Sequence, residues 1–66
     1  GELAAALTDL DAALTLSPGL APSLYLRGVV RLHAGDRAGR EDIATALRMM
    51  PQLPATYGRH GIVPPR

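Results

Sequence analysis

The sequence contains no cysteine, lysine, asparagine, tryptophan or phenylalanine. Without cysteine there is no disulfide and no thiolate metal site. Two histidines, His33 and His60, cannot close a zinc site alone, so neither a metal nor any other cofactor is expected. Tyr25 and Tyr57 are the whole aromatic complement. The core must therefore be built from Leu, Ala, Val, Ile and Met, which at this length suits helices better than a sandwich. Charge of one sign is lacking too: the net charge is +1, which gives no electrostatic footprint for nucleic acid or a membrane surface. No apolar run approaches the roughly 18 residues that span a bilayer. No basic leader precedes the first apolar stretch, which therefore does not read as a signal peptide. All seven basic residues are arginine, the usage expected of a GC-rich, bacterial genome. At 66 residues the chain is one domain at most, and so small a core supplies only a few kcal/mol without staples.

What is present is helical periodicity broken by turn residues. In "GELAAALTDLDAALTL", Leu3, Ala6, Leu7, Leu10, Ala13 and Leu14 share one face, predicting a helix over 2–16 that Ser17-Pro18-Gly19 stops. Pro22 suits the first turn of a second helix, over 22–34, because its missing N–H would be unpaired there anyway. Gly35 ends that helix and Asp36 can cap the next. The third helix is predicted over 37–49, with Ile43, Ala46, Leu47 and Met50 as its stripe, closed by Pro51 and Pro54. The remainder has room for one or two turns before Pro64-Pro65 forces an extended tail. Short connectors imply antiparallel neighbours.

The first and third helices are related. Ala6, Leu10, Ala13 and Pro18 follow one another at steps of 4, 3 and 5, and so do Gly39, Ile43, Ala46 and Pro51. The shift that carries Ala6 onto Gly39 also aligns Ala5 with Ala38, Asp9 with Asp42, Leu14 with Leu47, Leu20 with Leu53, Gly28 with Gly61 and Val30 with Val63. That makes eight identities in 33 pairs, where about three are expected by chance in so Ala- and Leu-rich a chain. A helical hairpin repeated in tandem explains the residue types. Small residues let helices approach, a larger apolar residue fills the space between them, and proline ends the hairpin. Gly28 lies mid-helix, where it costs about 1 kcal/mol relative to Ala, so a close helix crossing is expected there.

On these residues the chain resembles the tetratricopeptide repeat, a helix–turn–helix unit. "LYLRGVVRLHAGD", Leu24 to Asp36, resembles its first helix, and "GREDIATALRMMP", Gly39 to Pro51, its second. The resemblance divides the chain into residues 1–18, the second helix of a preceding repeat; 19–51, one complete repeat; and 52–66, the stub of a next repeat with a Pro-rich tail. There are departures. Arg31 stands where the family prefers an aromatic, Gly39 replaces the usual Ala, and the turn after Asp36 is one residue short. The resemblance implies an all-α fold of antiparallel helix–turn–helix repeats, an α-solenoid fragment with three main helices.

It also implies a non-enzymatic scaffold that binds protein, with first helices lining the concave surface. In this chain that helix would offer Tyr25, Val29, Leu32 and His33. Leu3, Leu7 and Leu14 would face outward with no preceding helix to cover them, and Tyr57, Ile62 and Val63 would lack a following one. These patches call for a protein partner, partner subunits or self-association. The carboxylate clamp of some family members needs Lys, Arg and Asn on successive first helices. With no Lys or Asn, none is expected.

Other constellations are weaker. Arg27 and Arg31 are four apart and Arg48 lies on the third helix, but no aromatic residues are interleaved for stacking on bases. A solvated face or local ion pairs is the expected reading, and no nucleic-acid partner is expected. Asp9 with Asp11, and Glu41 with Asp42, point to different sides of a helix, so neither pair is an acid–base dyad. Asp9 and Asp42 share a repeat phase, which suggests surface or capping roles for both. No Ser or Cys stands in a nucleophile context near a histidine, and no enzymatic activity is expected. A structural subunit docked permanently in a large assembly is the alternative function. A pentatricopeptide-type RNA binder is more distant, since its polar base-reading pairs are missing.

Overall fold

Alanine and leucine are strong helix formers, and they dominate the first segment. In the computed structural model, which describes residues 1–65, that segment is helix α1, Glu2–Leu16. Thr8 and Thr15 turn their hydroxyls back onto the carbonyls of Ala4 and Asp11. Helix α2 is Ala21–His33, with Pro22 in its first turn as expected. Helix α3 is Gly39–Met49, two residues shorter at its start than the spacing predicted. Residues 37 and 38 instead form a turn, in which the Asp36 carboxylate accepts the Ala38 N–H at 2.9 Å. A fourth helix, α4, spans Leu53–Gly58, within the segment where one or two turns were expected. The described residues are all helix, turn and extended tail, with no strand. The fold class is all-α. Arg66, the last residue of the predicted tail, lies outside the described residues.

Helix α2 is the central element and packs against both α1 and α3. The direction of packing follows from which residues meet. Arg27 reaches Asp42, whereas Arg31 and Leu32, one turn later, lie against Gly39. Numbers rise on α2 as they fall on α3, so the two are antiparallel. The core is Leu14, Ala21, Leu24, Tyr25, Val29, Ala46 and Leu53, with Ile43, Leu47, Met50, Tyr57 and Ile62 packed against it. Leu14, expected to face outward, is buried here: a residue one turn beyond Asp11, it is carried inward as α1 lies along α2.

The α2–α3 crossing is close enough to exclude side chains. A Cβ on Gly28 would lie 2.6 Å from Ile43 Cγ1 and 2.7 Å from the Gly39 carbonyl oxygen. A Cβ on Gly39 would run into the Gly28 carbonyl oxygen. Each glycine thus makes room for the other's backbone, and Ala46, a residue of the same α3 stripe, is 0% exposed. This answers the expectation of a close crossing at Gly28.

Two turns end on left-handed glycines, where a Cβ would be strained. Gly35 has φ 84° and Gly61 φ 74°. Beyond α2, the Asp36 N–H bonds to the Arg31 carbonyl and the Gly35 N–H to that of Leu32; beyond α4, the Ile62 and Gly61 N–H groups do the same to Tyr57 and Gly58. The second of these caps turns the tail back along the molecule.

The α1–α2 and α3–α4 connectors begin alike and diverge at their ends, where Leu20 is extended with ψ 94° and its counterpart Leu53 is already helical. Ser17 has φ −139° and ψ 83°; Met50, its counterpart one period on, has φ −138° and ψ 86°. The Ser17 N–H bonds to the Ala13 carbonyl at 2.9 Å, the Met50 N–H to that of Ala46 at 2.8 Å. Leu20 N–H closes on Ser17 and Leu53 N–H on Met50. All these pairs of groups keep the offset that relates Ala6 to Gly39.

The crossing generates a prediction about packing. Gly39 is the first residue of α3, where alanine gains little of its interior helix preference, and Gly39→Ala should destabilise the fold by about 1–3 kcal/mol, because the obstacle is backbone and cannot rotate away. Gly28→Leu should cost at least as much. Urea unfolding followed by circular dichroism reads both, and an unchanged midpoint for Gly39→Ala would show that the helices are not this close.

Candidate protein-binding surface

The residues expected to line a concave binding surface are divided by the fold. Tyr25 is 1% exposed and Val29 is buried with it. Both belong to the core, and the expectation that they present a surface is corrected. The cause is α4. Its Tyr57 stacks on Tyr25, with ring centroids 5.7 Å apart and planes 17° from parallel. Tyr57 and Ile62, expected to lie uncovered, are half-buried against the chain's own core. Leu32 is half-buried and His33 exposed. The His33 ring Nε2 lies 2.9 Å from the Val63 carbonyl oxygen; since a carbonyl only accepts, Nε2 carries the hydrogen of that bond. The structure therefore brings Tyr25, Tyr57, Ile62 and His33 into one assembly, in which α4 and the tail fill the face the sequence left open.

Leu3 and Leu7 stand apart on α1. Leu3 is exposed and Leu7 half-buried. The apolar surface that remains open is otherwise at helix ends: Leu16 is 86% exposed, with Leu20, Met49 and Val63 also open. Leu16, Leu20 and Met49 were not among the expected binding residues. Their signal was the phase: Leu16 and Met49 are counterparts under the repeat shift, and each is the last residue of its helix.

The arginine pair is not a solvated face but a set of ion pairs, one of them local, Arg31 Nε with Asp36 Oδ2 at 4.0 Å, and the rest between helices. Arg27 grips Asp42 with two bonds, Nη2 to Oδ1 at 2.8 Å and Nε to Oδ2 at 2.9 Å. Arg31 Nη1 donates to Asp42 Oδ2 at 2.9 Å, and Arg27 Nη1 reaches Asp11 on α1 at 3.0 Å. Three helices are thus tied through one side chain. Asp42 is 7% exposed, so the surface or capping role expected of it is corrected: it is a buried counter-ion. Asp9, in the same phase, is exposed. The Arg27 guanidinium is held well above its ordinary range, chiefly by the hydrogen bonds it donates to Asp42, against which burial works. Both arginines are engaged by carboxylates and do not form an anion site. Arg48 donates to Thr45 on its own helix.

Among the described residues no buried side-chain nitrogen or oxygen lacks a hydrogen-bond partner, no pocket is enclosed, no three acidic, histidine or cysteine groups gather as for a metal, and no helix is long and apolar enough to cross a membrane. What the arrangement offers chemically is apolar helix surface with charges at its margin.

Two outcomes are expected. Asp42→Asn leaves two partly buried guanidinium groups without their carboxylate and should destabilise by about 3 kcal/mol, whereas Asp11→Asn, at an exposed pair, should cost under about 1 kcal/mol; thermal melts of both variants check the contrast. Burial raises the Tyr25 phenol above its ordinary value. The unfolded state then releases that proton first as pH rises. The contribution is fully present below about pH 10 and is lost as pH climbs through the raised value. Urea midpoints should therefore fall between neutral and strongly alkaline pH, and fall less in Tyr25→Phe.

Compared with known proteins, the chain matches no protein-family model, no curated protein and no solved structure.

Proposed function

We propose that the chain is a non-enzymatic protein–protein interaction scaffold of the tetratricopeptide type, made of helical hairpins in tandem. The single observation that carries this reading is the pair of connectors after Ser17 and Met50, which share backbone angles at those two residues and the hydrogen bonds that close them, one period apart. Two unrelated helical connectors have no reason to coincide at one offset. The Gly28–Gly39 crossing supports it further, because close antiparallel pairing within a hairpin is what lets hairpins stack. On this reading α1 is the second helix of one unit, α2 and α3 are a complete unit, and α4 begins another.

A second reading is favoured by the exposure of Leu3, Leu16, Leu20 and Met49: a segment docked permanently in a larger assembly, its open leucines covered by neighbouring subunits.

The repeat reading is tested by inserting a second copy of residues 19–51 after Pro51. Stacked units add interface energy with each repeat, so the longer chain should gain helical ellipticity in proportion and melt at a higher temperature in one transition. An inserted block that stays unfolded, or that lowers the melting temperature, would sink it. Sedimentation of the original chain separates the two functions: a folded monomer fits the scaffold, and aggregation or unfolding fits the docked segment.

A further inference from the structure

Helix α4 and the tail are seated by one short segment. Leu53 is buried in the core, Tyr57 stacks on Tyr25, Ile62 packs against the core, and the Val63 carbonyl accepts a hydrogen bond from His33. Among the described residues no ion pair reaches this segment; all join α1, α2, α3 and Asp36. It leaves α3 through Met50, Pro51 and Gln52. Met50 is outside the helical region, with φ −138° and ψ 86°, and Pro51 has no N–H with which to continue the helix. Six helical residues have little stability alone, so α4 is ordered by the face it covers. The hinge also departs from an apolar end of the molecule. The 17–20 connector joins the end of α1 to the start of α2, and α2 runs antiparallel to α3, so Leu16, Leu20 and Met49 lie at the same end as the hinge. All three are exposed, Leu16 most of all. Residues 12–26 and 49–58 contain no charged side chain.

We propose that two copies of this chain associate by exchanging residues 53–63 across the Met50–Gln52 hinge, so that Tyr57 of each copy stacks on Tyr25 of the other. The proposal needs only the seating of α4, not the repeat reading, and goes beyond that reading by naming the partner. The occupant follows from the fit already on view. The α2 face is closed by a leucine, a tyrosine four residues later and a carbonyl six residues beyond that. A second copy carries these groups at the same spacing by identity, whereas an unrelated segment would have to reproduce them. Exchange leaves these contacts unchanged in kind and number, so they cancel between the closed monomer and the exchanged dimer. Two terms remain. Association costs translational and rotational freedom, and the dimer gains whatever apolar surface meets where the two chains cross. They cross at the hinges, beside Leu16, Leu20 and Met49, where apolar area is open and the flanking segments hold no charge to strip of water. That surface is what favours the dimer. Hinge length sets the competing term, because a connector of three residues allows α4 little freedom in closing on its own core.

The test uses the whole chain. Isotope-labelled and unlabelled chains are mixed in equal amounts, unfolded and refolded together, and isotope-filtered nuclear Overhauser contacts are sought between Tyr25 of one copy and Tyr57 of the other. Sedimentation equilibrium from about 10 μM to about 1 mM reads the mass alongside. A folded monomer is expected at the low end and a folded dimer at the high end, with tyrosine contacts between copies. Inserting Gly-Ser-Gly-Ser between Pro51 and Gln52 gives α4 slack to close on its own core and should weaken the dimer by about tenfold or more. Leu16 is 86% exposed, so Leu16→Ser should leave the melting of the monomer unchanged while weakening the dimer by about tenfold. A chain that stays monomeric throughout overturns the proposal. So does a dimer whose Tyr25–Tyr57 contacts lie within each copy, or one indifferent to both the insertion and Leu16→Ser. None of these outcomes bears on the inserted repeat, which reads the stacking of hairpins within one chain.

Discussion

Everything in this fold depends on how closely α2 and α3 approach at Gly28 and Gly39. Neither position can hold a methyl group without meeting the backbone of the other helix. That approach removes water from the face of α3, leaves Ala46 fully buried and brings Asp42 within 3 Å of two arginines. The consequences are coupled. A buried carboxylate is tolerable only when its partners are at hydrogen-bonding distance, and those distances exist only because two glycines let the helices close. Glycine lowers helix propensity at Gly28, in the middle of α2, so local preference is sacrificed to packing there. With so small an apolar core, the return is order: the Arg27–Asp42 fork has one geometry and fixes the register of α2 on α3.

The second constraint is the scarcity of large side chains. One tyrosine, Tyr25, lies at the centre, and α4 covers it by stacking Tyr57. A helix as short as α4 has little stability of its own. It is held at one end by Leu53, buried in the core, and at the other by the Gly61 cap, which turns Ile62 inward and sets Val63 against His33. The connector, the stack and the cap together give a short segment enough tertiary contact to order it.

Much of this could be read in the sequence. The three long helices announce themselves by apolar period and by Pro18, Gly35 and Pro51, and the helical class follows. Gly28 announced a close crossing because a mid-helix glycine needs a packing reason. What could not be read was burial of polar and aromatic groups. Asp42 shares type and phase with Asp9, and nothing local separates a buried counter-ion from a solvated carboxylate; only the arrival of Arg27 and Arg31 from another helix does. Tyr25 looked like a surface anchor for the same reason. An amphipathic ring suits an interface or a core equally, and the choice was made by α4, a segment whose prolines and glycines argued for irregular chain. The candidate surface shifted accordingly, from the α2 face to α1 and the helix ends.

The comparison of Asp9 with Asp42 also shows how one residue type acquires two roles. Both occupy the last place of the same spaced pattern, A-x-x-D on α1 and G-x-x-D on α3, and both lie on a stripe of small residues. For Asp42 the neighbouring helix is present, water is excluded, and a charge that would oppose folding becomes a clamp joining three helices. For Asp9 no such helix lies on the stripe, and the carboxylate keeps its hydration. The energetic difference is therefore not in the acid but in what covers it.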